Sequence, residues 1–99
     1  MSNVIYTYID FIIKDEYSFS EYSKLVPLTV KQYGGETLAV QKQTDFPIGG
    51  RDVQVQIIQR WPSRDSFDAW HSSPEYAPLK EIRDNRAICN LNISILQGI

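Results

Sequence analysis

Cysteine, histidine and methionine each occur once in 99 residues, and that scarcity removes several chemistries at the outset. A single cysteine, Cys89, excludes a disulfide within one chain. Its phase with Leu91 and Ile93 makes it a small buried hydrophobe in this reading rather than a reactive thiol. One histidine, His71, and one cysteine are too few for a dedicated zinc or iron site, so no metal and no cofactor is expected; haem ligation through His71 is the one formal opening. No apolar run reaches the roughly 18 residues a membrane span needs, and no charged segment leads into an apolar core of secretory type, so a cytoplasmic protein that does not engage membranes is expected. A basic excess is missing too. Ten Lys and Arg against twelve Asp and Glu leave a net charge of −2, which argues against nucleic acid as a partner.

What the chain does have is alternation. Leu91, Ile93 and Ile95 alternate with Asn90, Asn92 and Ser94, and Val53, Val55 and Ile57 alternate with Gln54, Gln56 and Ile58. A sheet face open to solvent would carry Lys, Glu and Arg. Amides, hydroxyls and the tyrosines Tyr6 and Tyr8 point instead to a face that is covered yet lined with hydrogen-bonding groups. A chain of this length forms one domain, residues 1–99, with helix enough for only one face of a sheet, so a second copy is the expected cover.

The run Val4 to Ile13, rich in Ile, Tyr, Thr and Phe, reads as a central strand. Asp15 or Ser18 can cap a helix carrying Tyr22, Val26, Thr29 or Val30, and Tyr33 at helical spacing, bent at Pro27 and stopped by Gly34 and Gly35. A second strand is expected over Glu36 to Gln43 with Leu38 and Val40 inward, then a long connection through Pro47, Gly49 and Gly50, then a third strand to Trp61. Pro62 and Ser63 open a short helix in which Phe67, Trp70 and His71 share a side. Ser73, Pro74 and Glu75 carry the signals of a further helix start, predicting a helix to about Arg86 with Leu79 and Ile82 toward the core. Ile88 to Leu96 supplies the fourth strand. This order of elements is the split βαβ arrangement, a ferredoxin-like βαββαβ α+β fold with a four-stranded antiparallel sheet and helices on one face. Two such sheets meeting through their amide-rich faces would form a dimeric α+β barrel, with an interface of ~1,600 Å² or more.

Tyr22, Val26, Pro27, Tyr33, Gly34, Gly35, Leu38, Pro62, Ser63, Ala69, Trp70, Ser73, Pro74, Glu75, Tyr76 and Arg83 fall in an order that resembles the "domain of unknown function 1330" family. The double glycine together with the Ser73 to Tyr76 run is the more specific part of the match, which covers nearly the whole chain. The resemblance implies a dimeric α+β barrel, an architecture shared with small monooxygenases, isomerases and haem-degrading enzymes, and leaves the activity open. The chain departs from the family pattern at Val40, Gln41 and Lys42, at Arg60, and at His71, where an aromatic is usual.

Two residues are candidates for acid or base catalysis. Asp10 falls on the polar face of the central strand, with pairing to Arg60 or a tyrosine as the plainer alternative. His71 could transfer a proton near neutral pH, or simply end a surface helix. Candidate ligand contacts fall into two groups. Trp70 and Tyr76 could stack an aromatic ring, although Phe67, Trp70 and Leu79 at helical spacing equally make a core, and Arg83 could grip a carboxylate or pair with Glu75 or Asp84. Tyr6, Tyr8, Gln54, Gln56, Asn90 and Asn92 could bind a small polar ligand or hold ordered water and fix a dimer's register.

The expected function is therefore a homodimer binding a small polar or aromatic metabolite in a cleft, with cofactor-independent proton-transfer or monooxygenase-type chemistry within reach of those residues. The alternative is a non-enzymatic dimerisation or partner-binding module. RNA binding on this topology is disfavoured because the third strand lacks paired aromatics, and acylphosphatase-like chemistry because Lys14 and Asp15 stand where an anion cradle would be needed.

Overall fold

The structure, a computed structural model, describes residues 3–99. Strand β1 (Ile5–Ile13) turns directly into helix α1 (Glu16–Gln32), followed by β2 (Glu36–Gln41) and β3 (Val55–Trp61). Two short helices, α2 (Arg64–His71) and α3 (Ala77–Ile82), lead through a π-helical turn (Arg83–Ala87) into β4 (Ile88–Gln97). The sheet order is β2-β3-β1-β4, antiparallel at every pairing, so the chain has the expected ferredoxin-like α+β fold with β1 central.

Alternation decides which face the helices cover. Ile5, Ile9 and Phe11 of β1 and Val55 and Trp61 of β3 form one buried core with Phe19, Tyr22 and Val30 of α1, Phe67 and Trp70 of α2 and Leu79 of α3. Burying side chains of this size is worth roughly 1.5–3 kcal/mol each, which is what holds the helices to the sheet. The opposite, open face of the sheet carries Tyr6, Tyr8 and Asp10, paired in register with Arg60, Ile58 and Gln56 on one side and Leu96, Ser94 and Asn92 on the other.

Local signals explain the helix ends. Asp15, not Ser18, caps α1, its carboxylate accepting from the Ser18 amide at 2.8 Å. The helix runs through Pro27 and ends in a Schellman arrangement, with the Gly34 amide on the Lys31 carbonyl at 3.0 Å, the Gly35 amide on the Val30 carbonyl at 2.9 Å, and Gly34 at φ +88°. Gly35 is required for a different reason: a Cβ there would lie 2.8 Å from the Trp61 ring and from a Val30 methyl.

Three details differ from expectation. The helix expected from Ser73 begins at Ala77; Ser73 still accepts the Tyr76 amide at 3.1 Å, but this caps a turn, and the far end widens into the π-helical turn at Arg83. Cys89 is exposed rather than buried. The β1–β4 register shifts between Asp10 and Ile12, with Asn90 at φ 54°, and this bulge reverses the alternation so that Cys89 pairs with Ile12 of the open face. A second register shift in β2, between Thr37 and Ala39, makes Thr37 and Val40, not Leu38 and Val40, the cavity-lining residues of β2.

Candidate functional site

The sequence-derived candidates divide into two groups on opposite faces of the sheet. On the open face Asp10 is fully buried (0% exposed) at the centre of a polar row. One carboxylate oxygen accepts from Asn92 Nδ2 at 3.0 Å, and the other is ion-paired with the Arg51 guanidinium from the β2–β3 connection. Beside it Gln56 Nε2 donates to the Tyr8 hydroxyl at 2.8 Å. Tyr6 lies one register pair further, between Arg60 and Leu96. Gln54 and Asn90 are not part of this row: Gln54 accepts the Ile13 amide at 2.9 Å, and Asn90 forms the bulge, its carbonyl accepting from Asn92 at 3.2 Å.

On the helix-covered face lies a cavity of about 410 Å³ between the sheet and α1, lined mostly by apolar side chains such as Ile9, Phe11, Val26, Ile57, Leu91 and Ile93. Trp70, Tyr76 and Arg83 all reach it, and Tyr22 joins them from α1. Trp70 is at once core and lining. Its ring packs on Tyr76 at 4.2 Å and Trp61 at 5.2 Å, and its indole donates to Thr29 Oγ1 at 3.0 Å. The Tyr22 and Tyr76 hydroxyls are 2.6 Å apart. Arg83 Nη1 donates to the Tyr76 hydroxyl at 3.4 Å and contacts His71 Nε2 at 3.3 Å. Since a guanidinium only donates, Nε2 of His71 is the acceptor and Nδ1 carries the proton. His71 itself stacks on Phe67 behind this cluster and does not line the cavity.

The electrostatics follow from burial. Desolvation pushes the Tyr22 hydroxyl well above its ordinary pKa. Tyr76 is also raised by burial, but the hydrogen bonds from Tyr22 and Arg83 pull against that rise. The Tyr76 hydroxyl is therefore the one supported by a cation. His71 is held below its usual value by burial and by the charges of Lys80 and Arg83, which keeps it neutral at pH 7. Burial works against the charge on Arg83, which is only 6% exposed, but bidentate hydrogen bonds to Asp84 at 2.7 and 3.1 Å outweigh it. The fork anticipated for a ligand carboxylate is thus occupied by Asp84, leaving Nη1 to the Tyr76 hydroxyl and His71.

Gln59, Thr7, Tyr22 and Arg51 did not emerge as site residues from the sequence. Thr7 and Gln59 were detectable as polar interruptions of an inward apolar phase, Thr7 between Ile5 and Ile9 and Gln59 between Ile57 and Trp61. Tyr22 passed as one more apolar residue at helical spacing, and nothing in the local sequence ties Arg51 to Asp10.

An antiparallel four-stranded sheet with helices on one face and a cavity beneath them defines a ferredoxin-like α+β domain. The chain belongs to the family described as "Domain of unknown function (DUF1330)", whose model matches residues 5–99. Among curated proteins no relative matches the chain. Solved structures share the fold. The RPA0582 protein of unknown function from Rhodopseudomonas palustris is 14% identical, with a TM-score of 0.83 over 100% of this chain and 85% of that one. SnoaB, a cofactor-independent oxygenase from Streptomyces nogalater, is 10% identical, with a TM-score of 0.72 over 99% of this chain and 95% of its own. A dimeric protein of unknown function from Bacteroides fragilis, with a ferredoxin-like fold, is 12% identical, with a TM-score of 0.65 over 98% of each chain. Identities this low speak to fold alone. No described helix is long and apolar enough to cross a membrane.

Proposed function

We propose that the chain is a homodimer that binds a small, largely aromatic metabolite in the cavity between the sheet and α1. The observation that carries this reading is the cavity itself: about 410 Å³, apolar over most of its wall, with Tyr22, Tyr76 and Arg83 converging at one place. That combination of apolar bulk and a few fixed polar groups is the usual composition of a small-molecule site. Pairing through the open face is supported by its having no helix over it among the described residues and by Ile58 and Leu96, exposed hydrophobics set among Tyr6 and Tyr8.

The same site suits cofactor-independent chemistry, as in the oxygenase that shares the fold. Tyr76, the hydroxyl flanked by Arg83, can donate a proton to a developing oxyanion, with the Arg83 guanidinium stabilising the charge left on the phenol oxygen and neutral His71 holding Arg83 from behind. Asp10 sits on the far face of the sheet, clamped by Arg51 and Asn92. In this reading it holds the β2–β3 connection and the subunit register rather than touching the ligand. The polar row around Asp10 favours, to that extent, the module reading for the open face alone.

A thermal-shift screen against a metabolite library, repeated on Val40→Trp, tests the proposal. Val40 is half-exposed and lines the cavity, so an indole there fills the site without disturbing the core. A true ligand raises the midpoint of the wild type and not of the variant. A ligand that stabilises both equally binds elsewhere, and the cavity reading fails.

A further inference from the structure

We infer that Gln59 is a ligand-anchoring donor and that the cavity selects molecules presenting an acceptor oxygen, a carbonyl or an ionised hydroxyl, toward β3. The inference rests on the cavity being the binding site and adds the chemistry of what it takes.

Gln59 is 3% exposed and belongs to the wall of the cavity. Its amide oxygen accepts two hydrogen bonds, from Thr7 Oγ1 at 3.0 Å and from Trp61 Nε1 at 3.1 Å. An indole N–H can only donate, so the atom facing Trp61 must be the oxygen, and the amide cannot be turned the other way. Both lone pairs of the oxygen are then used and the NH₂ group is left over. It has no protein acceptor among the described residues. Nor is it sealed off: among the described residues the one side-chain polar atom that is both buried and without a hydrogen bond is Asp10 Oδ2 on the opposite face, which meets the Arg51 guanidinium instead. The amide nitrogen of Gln59 therefore opens on accessible space, and the space Gln59 borders is the cavity.

A donor placed this way would be costly to bury empty, and a buried amide without a partner is uncommon. The rest of the lining has the same sign. No Asp or Glu contributes to it, whereas Arg83 and Lys42 do. The Tyr22–Tyr76 pair shares one hydrogen bond between two hydroxyls, so one hydroxyl proton remains to be donated. With the sheet-side donor held by β1 and β3 and the second donor on the helix side, a flat ligand between them is recognised by its acceptors. A donor-bearing analogue of the same shape gains nothing at Gln59 and leaves its NH₂ unmatched.

Three rigid probes of nearly one shape separate the cases: fluorene has no polar group, 9-fluorenone carries an acceptor, and carbazole carries an N–H donor. Equilibrium dialysis of the full chain with each should give 9-fluorenone about fivefold to tenfold tighter than fluorene, the worth of one hydrogen bond, with carbazole no tighter than fluorene. Gln59→Met removes the donor at similar volume and should abolish the preference, so that the variant binds 9-fluorenone no more tightly than it binds fluorene. Should that variant fail to fold, Thr7→Val, which frees one of the two bonds orienting the amide, should lower the 9-fluorenone preference severalfold. Equal affinities for the three probes, a preference for carbazole, or a 9-fluorenone preference that survives in the folded variant overturns the assignment but not the cavity reading. Failure of every probe to bind overturns both.

Discussion

The Tyr22–Tyr76–Arg83 cluster makes an asymmetric prediction. Removing the Tyr22 hydroxyl by Tyr22→Phe takes one hydrogen bond from Tyr76, whose oxygen keeps Arg83 Nη1 at 3.4 Å. The loss should be that of an ordinary bond, about 0.5–1.5 kcal/mol. Removing the Tyr76 hydroxyl by Tyr76→Phe strands the Tyr22 hydroxyl, which has no other hydrogen-bond partner among the described residues in a side chain only 9% exposed. That adds the cost of an unpaired buried donor, about 1–3 kcal/mol in all, or on the order of 5–15 °C in midpoint for a domain of this size. Arg83 is less affected because Nη1 retains His71. The double variant should cost less than the sum of the two by about 1 kcal/mol, since the second substitution removes a group already deprived of its partner. Urea unfolding followed by tryptophan fluorescence, reported by Trp61 and Trp70 in the core, measures all three. Equal losses for the two single variants, or strict additivity in the double, would refute the account of a coupled cluster and mean that water in the cavity satisfies each hydroxyl separately.

Other expectations follow from particular contacts. Arg51→Ala should destabilise more than Asp10→Asn, because the first leaves a fully buried carboxylate with Asn92 alone whereas the second releases a half-exposed guanidinium to water; chemical denaturation of both variants gives the order, and the reverse order contradicts the clamp. His71 is held by burial below the ordinary value of 6.5, so the unfolded chain binds the proton more readily and stability falls as pH drops through that value. His71→Gln should therefore lose less stability than the wild type between about pH 7.5 and 5.5, and parallel curves would show the imidazole to be unperturbed. Gly35→Ala forces a methyl to 2.8 Å from Trp61 and Val30, both essentially unexposed, and should cost about 1–3 kcal/mol or more; a neutral substitution would mean that α1 and β3 pack less closely than described.

The sequence conveyed the architecture because its periods are clean. Ile5, Ile9 and Phe11 at period two, and Phe19, Tyr22, Val26 and Val30 along one helical stripe, each have one way to be buried, and their order leaves little choice of topology. It misled wherever a backbone irregularity intervened. The bulge at Asn90 exposes Cys89, and the shift in β2 exchanges Leu38 for Thr37; a period-two reading has no means of placing either. The candidate site was half legible for a related reason. Trp70, His71, Tyr76 and Arg83 lie close in sequence and meet in one cluster, with the π-helical turn setting the position of Arg83. Tyr22 and Gln59 come to the same cavity from α1 and β3, across long stretches of chain, and only the packing of helix on sheet brings them to one wall-lined space.

The account turns on a paired chain with an occupied cavity in each subunit, and native mass spectrometry of the protein incubated with 9-fluorenone reads both at once. A particle of twice the 11.4 kDa chain mass carrying one ligand per chain, with the ligand lost in Val40→Trp and the pairing kept, is the predicted result. A single 11.4 kDa chain without ligand at micromolar concentration would contradict it.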